Sequence, residues 1–121
     1  MDNGPTLLQR SVMTPAIQKN RKNDTCDMKA WYYQTETDTF AFGSLVGAHG
    51  IRENIPADRT YYIVSGEGTF SVDNANMPVT KGSIIRISKG STYDFHSTGD
   101  DPVEFFVDIG LRIDIDAIPS K

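Results

Sequence analysis

The chain has 121 residues, twelve Lys and Arg against sixteen Asp and Glu, and a formal net charge of −4. This length is typical of a single domain and is enough to bury a core without disulfides or structural zinc. The acidic balance argues against a nucleic-acid-binding surface, which needs clustered basic residues. The single cysteine, Cys26, excludes an internal disulfide.

The N-terminal residues show no basic segment followed by a long apolar run, so no secretory signal is predicted. No stretch approaches the roughly 18 apolar residues of a membrane-spanning helix. We therefore expect a soluble, cytoplasmic protein. Residues 1–27 are polar and lack sustained periodicity, which predicts a mostly irregular N-terminal arm in front of a domain over 28–121.

From residue 28 onward, short runs rich in Tyr, Phe, Val, Ile and Thr alternate with Gly, Asp, Asn and Pro. No window keeps a helical apolar period over three turns, so the pattern predicts an all-β domain. The predicted strands cover 28–34, 39–47, 49–55, 59–66, 68–73, 77–80, 83–88, 92–98, 103–110 and 111–118. Short strands at this spacing, without crossover helices, are typical of a sandwich or a jelly-roll barrel.

Two predicted strands, around 61–64 and 84–87, are apolar on both faces. This is expected where a sheet packs inward on a core and outward on a second subunit. The aromatic run Trp31, Tyr32 and Tyr33 is also typical of a subunit contact. Since a two-fold dimer is the commonest closed assembly, we expect a symmetric homodimer. The last predicted strand alternates cleanly and fits a sheet edge with an acidic outer face.

The glycine spacing in two segments resembles the cupins, small jelly-roll barrels with two glycine-punctuated motifs. In the first segment, five residues separate Gly47 from position 53, and six separate position 59 from Gly66. In the second, five residues separate Gly82 from position 88, and two residues separate Gly90 from position 93. The resemblance covers about residues 40–110 and implies a single-domain, cupin-like jelly-roll β-barrel. Tight hairpins also need positive φ, which explains glycine at such positions.

The positions of the family's metal ligands carry Glu53, Ile55, Arg59 and Tyr93 in this chain. Zinc, iron and manganese sites need several His, Cys or carboxylate donors around one ion. The comparison with the family motif therefore predicts a barrel without the usual metal, and we expect no cofactor. A loop longer by one residue would place Arg52 and Asn54 at the first two positions, which supplies no metal donors either.

A buried arginine cannot lose its proton and needs a partner. We therefore expect an ion pair between Glu53 and Arg59 in place of the metal, with the Tyr93 hydroxyl hydrogen-bonded to it. Alternation along the strands adds Tyr61 and Phe95 to the inward face. The predicted ligand-binding residues are thus Glu53, Arg59, Tyr61, Tyr93 and Phe95, for a small polar or anionic ligand such as a sugar or an organic acid.

An alternative is a metal-independent sugar isomerase, epimerase or lyase. Glu53 or His49 would act as the base, and Tyr93 or Arg59 as the acid or oxyanion stabiliser. Strand alternation would place His49 and Glu53 on one face, but two ligands are too few for a metal site. His96 is expected to face away from Tyr93. A third hypothesis is a barrel that is filled by its own side chains and has a structural role.

Overall fold

The computed structural model describes residues 17–117, and this range contains nine β-strands and one short 3-10 helix. The strands are β1 (Ile17–Lys22), β2 (Cys26–Gln34), β3 (Thr39–Gly47), β4 (Arg59–Ser65), β5 (Gly68–Val72), β6 (Ala75–Val79), β7 (Ile84–Ile87), β8 (Tyr93–Ser97) and β9 (Val103–Asp108). Within the described range, no helix has the length and apolar character to cross a membrane. The cytoplasmic location stays a prediction.

The strands form two antiparallel sheets that enclose the core of a jelly-roll barrel. One sheet has six strands in the order β1-β2-β3-β9-β4-β7, and the other has three in the order β6-β5-β8. Buried residues alternate with exposed ones along most strands, as expected for sheets with one face on a core. The predicted all-β jelly-roll fold is confirmed.

Two predicted strands are wrong. Residues 49–55 form a loop, because Gly50 and Asn54 have positive φ and break the extended conformation. The loop reaches β8 through an isolated bridge from Arg52 and through hydrogen bonds from the backbone N–H groups of His49 and Gly50. Residues 111–114 have no regular structure, and Ile115–Ala117 is a 3-10 helix. Continuing β9 would need a pairing partner there. The backbone of Ile113 instead bonds to side chains, with its N–H donating to Thr39 Oγ1 and its carbonyl accepting from the Gln34 amide.

The predicted irregular arm is partly a strand. β1 covers Ile17–Lys22 and pairs with β2 along its whole length, and β2 itself begins at Cys26, ahead of the predicted boundary at residue 28. β1 lies at the sheet edge with mostly exposed and half-buried residues, so it lacks the apolar alternation that identifies inner strands. Residues 1–16 of the predicted arm lie outside the described residues.

The outer face of the six-stranded sheet carries an apolar row that crosses five strands. Residues paired across an antiparallel ladder share a face, and the pairs join Trp31 to Phe42, Phe42 to Phe106, Phe106 to Tyr62 and Tyr62 to Ile84. We call these five residues the outer row. The rings of Phe42 and Phe106 are 5.0 Å apart between centroids. Tyr62 is 43% and Ile84 69% exposed, so the row is exposed at its β4 and β7 end, and its other three members are half-buried.

The motif glycines at 47, 66, 82 and 90 all have positive φ, as the sequence predicts. Gly66 and Gly82 provide a matched pair. A Cβ on Gly66 would lie 2.5 Å from the Pro102 carbonyl oxygen, whereas a Cβ on Gly82 would meet nothing within 4 Å. Both have nearly the same φ, 84° and 89°, so the backbone strain of an alanine is the same at both positions.

We expect Gly82→Ala to lower the free energy of unfolding by about 1–2 kcal/mol, the cost of the left-handed conformation. Gly66→Ala should lower it clearly more, because the overlap with a backbone carbonyl cannot be relieved by a side-chain rotation. Urea unfolding followed by circular dichroism measures both values. Equal losses for the two variants would contradict the steric role of Gly66.

Candidate functional site

A cavity of about 60 Å³ lies inside the barrel, between β2, β3, β4 and β9 of the large sheet and β8 of the small one. Part of its wall is apolar, and its polar side chains come from β2, β4, β8 and the 48–55 loop. The lining residues are Met28, Ala30, Tyr32, Ala41, His49, Arg52, Arg59, Tyr61, Tyr93, Phe105, Val107 and Ile109. Among them, Arg52 and Arg59 are half-buried and reach the solvent-facing side of the cavity.

A chain of hydrogen bonds fixes the centre of the cavity. Arg59 Nη1 donates to the Tyr93 hydroxyl at 2.9 Å, and the hydroxyls of Tyr93 and Tyr61 are 2.7 Å apart. Burial raises the pKa of Tyr61 well above its usual value, so its hydroxyl stays protonated. Burial lowers the pKa of Arg59, but its interactions with the two tyrosines outweigh burial, and the net shift is upward. Arg59 is therefore a permanent cation, solvated by phenol oxygens.

The network leaves one donor of Arg59 without a partner. Its Nε atom is buried and makes no hydrogen bond within the described residues. A buried unpaired donor costs about 1–3 kcal/mol unless something satisfies it. The guanidinium is therefore held in place by Tyr93 while part of its hydrogen-bonding capacity remains unused.

The loop after β3 brings a second arginine to the cavity. Arg52 forms an isolated bridge with Tyr93, with reciprocal backbone hydrogen bonds of 2.8 and 2.9 Å. Among residues 17–117, its side chain makes only long hydrogen bonds, 3.4–3.5 Å, to carbonyl groups of its own loop. Arg21 of β1 reaches the same loop and donates to the His49 carbonyl at 3.0 Å. A third arginine thus helps to position the loop.

His49 is 5% exposed and lines the cavity. Its Nδ1 lies 3.5 Å from Asp94 Oδ1, and neither ring nitrogen makes a hydrogen bond within the described part of the chain. Burial, with the positive charge of Arg52, lowers the pKa of His49 to about 4, although Asp94 opposes this shift. The imidazole is therefore neutral at physiological pH, with one donor and one acceptor nitrogen.

The cavity is electropositive although the protein is acidic. No Asp or Glu in the described range lines it, and none of Arg21, Arg52 and Arg59 forms an ion pair within residues 17–117. Burial raises the pKa of Tyr32, while these three arginines act to lower it, so all three are close to one wall of the cavity. Such a site favours a negatively charged ligand.

The predicted ion pair between Glu53 and Arg59 is wrong. Glu53 is exposed and forms no ion pair in the described structure, because residues 49–55 are a loop and do not alternate as a strand would. Consequently His49 and Glu53 do not share a face, since His49 is buried. The other part of the hypothesis is confirmed, because the Tyr93 hydroxyl is bonded to Arg59.

The structure brings Arg59, Tyr61, Tyr93 and His49 together and leaves Phe95 out. Phe95 is fully buried in the core, where its ring stacks on Phe70 with centroids 4.0 Å apart, and it does not line the cavity. It contacts the lining residues through edge contacts with the rings of His49, Tyr61 and Phe105. His96 is half-buried on the opposite side of β8 and is not a lining residue, as the sequence predicts.

Sequence reasoning missed Arg52 and Tyr32 as lining residues. Alternation along β2 could have found Tyr32, because Met28 and Ala30 precede it on the buried face. Arg52 has no such signal, since its direction depends on a bridge to Tyr93 that no local pattern specifies.

Comparison with family models gives a match to the cupin domain over residues 46–110, which is more than half of the chain. The chain belongs to the cupin family. This confirms the resemblance noted in the glycine spacing. Comparison with curated proteins found no match.

Solved cupin-like structures agree on the fold. A predicted oxalate decarboxylase from Thermotoga maritima has a TM-score of 0.70 at 19% identity, covering 83% of this chain and 96% of that one. KdgF from a Halomonas species has a TM-score of 0.64 at 10% identity, covering 78% and 87%. A nucleoside dehydratase has a TM-score of 0.63 at 15% identity, covering 79% and 78%. At these identities the likeness shows the fold alone.

The residues around this cupin cavity do not fit the metal implied by the family motif. They supply one imidazole and two guanidinium groups, and a second cation beside Arg52 and Arg59 would be repelled. Within residues 17–117, no three His, Cys, Asp or Glu side chains are placed to hold an ion. The usual ligand residues are therefore lacking in this part of the chain. That the protein needs no cofactor stays a prediction.

Replacing His49 by Gln should flatten the acid side of the stability profile. In the folded state the pKa of His49 is lowered to about 4, so the unfolded chain, with a pKa near 6.5, takes up the proton first. The contribution of His49 is complete above pH 6.5 and is lost as the pH falls towards 4. Between pH 7 and pH 4, we expect the free energy of unfolding of the wild type to fall by about 2–3 kcal/mol more than that of His49→Gln.

Urea unfolding at several pH values measures this difference. His96→Gln is the control, because His96 is half-buried and outside the cavity, and it should keep the wild-type profile. Parallel profiles for His49→Gln and the wild type would show that His49 is not held neutral in the fold.

Proposed function

We propose that this cupin binds a small organic anion in its barrel, with Arg52 and Arg59 holding the negative group. The observation that carries the proposal is a pair of guanidinium groups lining one cavity without a carboxylate partner, together with the unpaired buried Nε of Arg59. Guanidinium groups bind carboxylates through short, charge-assisted hydrogen bonds. An anion at this place would be the missing charge partner of both guanidinium groups and would accept a hydrogen bond from Arg59 Nε.

The cavity volume supports an organic acid over a sugar. At about 60 Å³ it is far smaller than the roughly 300–1,000 Å³ of pockets for drug-sized ligands. A ligand of a few heavy atoms fits such a space, and a sugar nucleotide does not. The apolar floor of Ala41, Val107 and Phe105 would contact the carbon chain.

The unpaired groups also support binding over a purely structural barrel. A barrel filled by its own side chains gains stability when every buried polar group is satisfied. Here two buried side-chain nitrogens, His49 Nε2 and Arg59 Nε, lack partners within the described residues, whereas His49 Nδ1 faces Asp94 at 3.5 Å. Two such groups on residues of one cavity fit a site that is completed by a ligand.

Metal-independent isomerisation, epimerisation or elimination is a second candidate. It is supported by the neutral ring of His49, which lines the cavity close to Asp94 and could take a proton from a carbon next to a carboxylate or carbonyl. Arg52 or Arg59 would then stabilise the oxyanion. Glu53 has no part in this scheme, because it is exposed.

We also propose that the protein forms a symmetric homodimer through the outer row of the large sheet. The row crosses four inter-strand spacings of about 4.8 Å, roughly 19 Å in all, and presents aromatic and aliphatic side chains at a surface. Extended exposed apolar patches mark interaction sites, and sheets pack face to face in this manner. A second copy of the same sheet supplies a surface of the same shape and character.

Binding is tested with acetate, pyruvate and phosphate at matched ionic strength, by thermal unfolding and isothermal titration calorimetry. We expect acetate or pyruvate to stabilise the wild type. Arg59→Met and Arg52→Met should weaken binding about tenfold or more, since each removes a charge-assisted hydrogen bond. Arg86→Met is the matched control, because Arg86 has an exposed side chain on β7 and does not line the cavity.

No stabilisation of the wild type by any of the three anions would overturn the proposal. If Arg86→Met lost as much affinity as the other two variants, the loss would reflect only the change in the net charge of the protein. Proton NMR of the same pyruvate samples in D2O separates the two candidate functions. Accelerated loss of the methyl proton signal, abolished in His49→Gln, would favour catalysis, and an unchanged signal would favour binding.

Ile84→Glu should shift the protein from dimer to monomer in sedimentation equilibrium at micromolar concentration, because an unpaired charge is costly to bury in an interface. The control is Ile51→Glu, which has almost the same exposure, 64% against 69%, but lies in a loop outside the sheet face. A wild-type protein that sediments as a monomer would overturn the proposed dimer.

A further inference from the structure

We propose that the bound anion carries a hydroxyl group next to its carboxylate, so that the ligand class is the small 2-hydroxy acids. This inference rests on the proposed function and makes it more specific. It assigns the carboxylate to Arg52 and Arg59, and the hydroxyl group to His49 Nε2.

The tautomer of His49 follows from its surroundings. Nδ1 lies 3.5 Å from a carboxylate oxygen of Asp94, and that oxygen also accepts backbone N–H groups from Gly50 at 3.2 Å and Phe95 at 2.7 Å. These bonds hold the carboxylate in place. A carboxylate favours an N–H on the nitrogen that faces it, so the ring proton belongs on Nδ1. In the neutral ring, Nε2 is then a bare acceptor.

Nε2 is the ring nitrogen that does not face Asp94. His49 lines the cavity, whereas Asp94, on the Nδ1 side, does not. Nε2 is buried and has no hydrogen-bond partner in the described residues. Leaving a buried acceptor without a hydrogen-bond donor costs about as much free energy of folding as leaving a buried donor without an acceptor. A ligand with a hydrogen-bond donor of its own would therefore satisfy Nε2.

The other polar groups at the cavity are mainly donors. Guanidinium groups have no acceptor atoms, the hydroxyls of Tyr61 and Tyr93 are already bonded to one another, and the Tyr32 hydroxyl can both donate and accept. A plain carboxylate would satisfy the arginines and leave Nε2 unpaired. A 2-hydroxy carboxylate satisfies both, because its hydroxyl donates to Nε2 while its carboxylate accepts from Arg52 and Arg59.

The size of the cavity restricts the chain length. A volume of about 60 Å³ suits acids of two or three carbons, and the apolar wall formed by Ala41 and Val107 leaves room for a hydrogen or a methyl group on the carbon that carries the hydroxyl. Glycolate and lactate represent this class. Acetate and propionate are their counterparts without the hydroxyl.

The test compares each pair on the wild type by calorimetry at pH 7.5, where all four acids are ionised and His49 is neutral. We expect glycolate to bind about tenfold more tightly than acetate, and lactate about tenfold more tightly than propionate, which corresponds to one buried hydrogen bond. His49→Phe should remove this preference, so that glycolate and acetate bind it with equal affinity. His49→Gln should keep the preference, because its amide oxygen is an acceptor.

The outcomes separate this inference from the proposed function. Equal affinity for glycolate and acetate would leave anion binding intact and overturn the hydroxyl assignment. A preference that survives in His49→Phe would also overturn it, since another group would then accept the hydroxyl. Binding of neither acid would overturn the proposed function itself. If His49→Phe fails to fold, the wild-type comparison of each acid pair still decides.

Discussion

The structure of the site depends on one permanent cation inside the barrel. Arg59 cannot be neutralised by losing its proton, so the fold has to solvate it, and it does so with the hydroxyls of Tyr93 and Tyr61. Phenol oxygens accept hydrogen bonds but carry no negative charge at neutral pH. The guanidinium is therefore positioned without being neutralised, and the positive charge of the cavity is the direct result.

The neutral state of His49 has other causes: burial lowers its pKa, and the positive charge of Arg52 lowers it further. Next to Arg52 and buried among aromatic rings, an imidazolium would be a further cation in a site that has no carboxylate on its walls, so the ring stays neutral. The cavity consequently combines fixed positive donors with one neutral heterocycle. Family members that hold a metal place a cation bound by side chains in their barrel. In this chain the cation belongs to a side chain itself, so an anion remains the complementary ligand.

The sequence predicted the parts of the fold and site that depend on local rules. Glycine spacing and strand rhythm located the barrel, and alternation within true strands correctly turned Arg59, Tyr61 and Tyr93 inward. Prediction failed where a loop replaced a strand. The positive φ of Gly50 and Asn54 sends Arg52 into the cavity and Glu53 to the surface, and a periodicity of two cannot describe that segment. β1 was missed because an edge strand lacks a buried face.

The balance between stability and function explains why a protein would keep such a site. Nε2 of His49 and Nε of Arg59 are buried without partners in the described structure, and each costs free energy of folding. A carboxylate facing Arg59, or an apolar residue in place of His49, would remove that cost and fill the barrel. Retaining the unpaired groups is advantageous when a ligand supplies the missing partners. Their free-energy cost is then removed on binding, which adds to the affinity. The arrangement thus fits the proposed binding of a small anion, at the expense of the stability of the empty barrel.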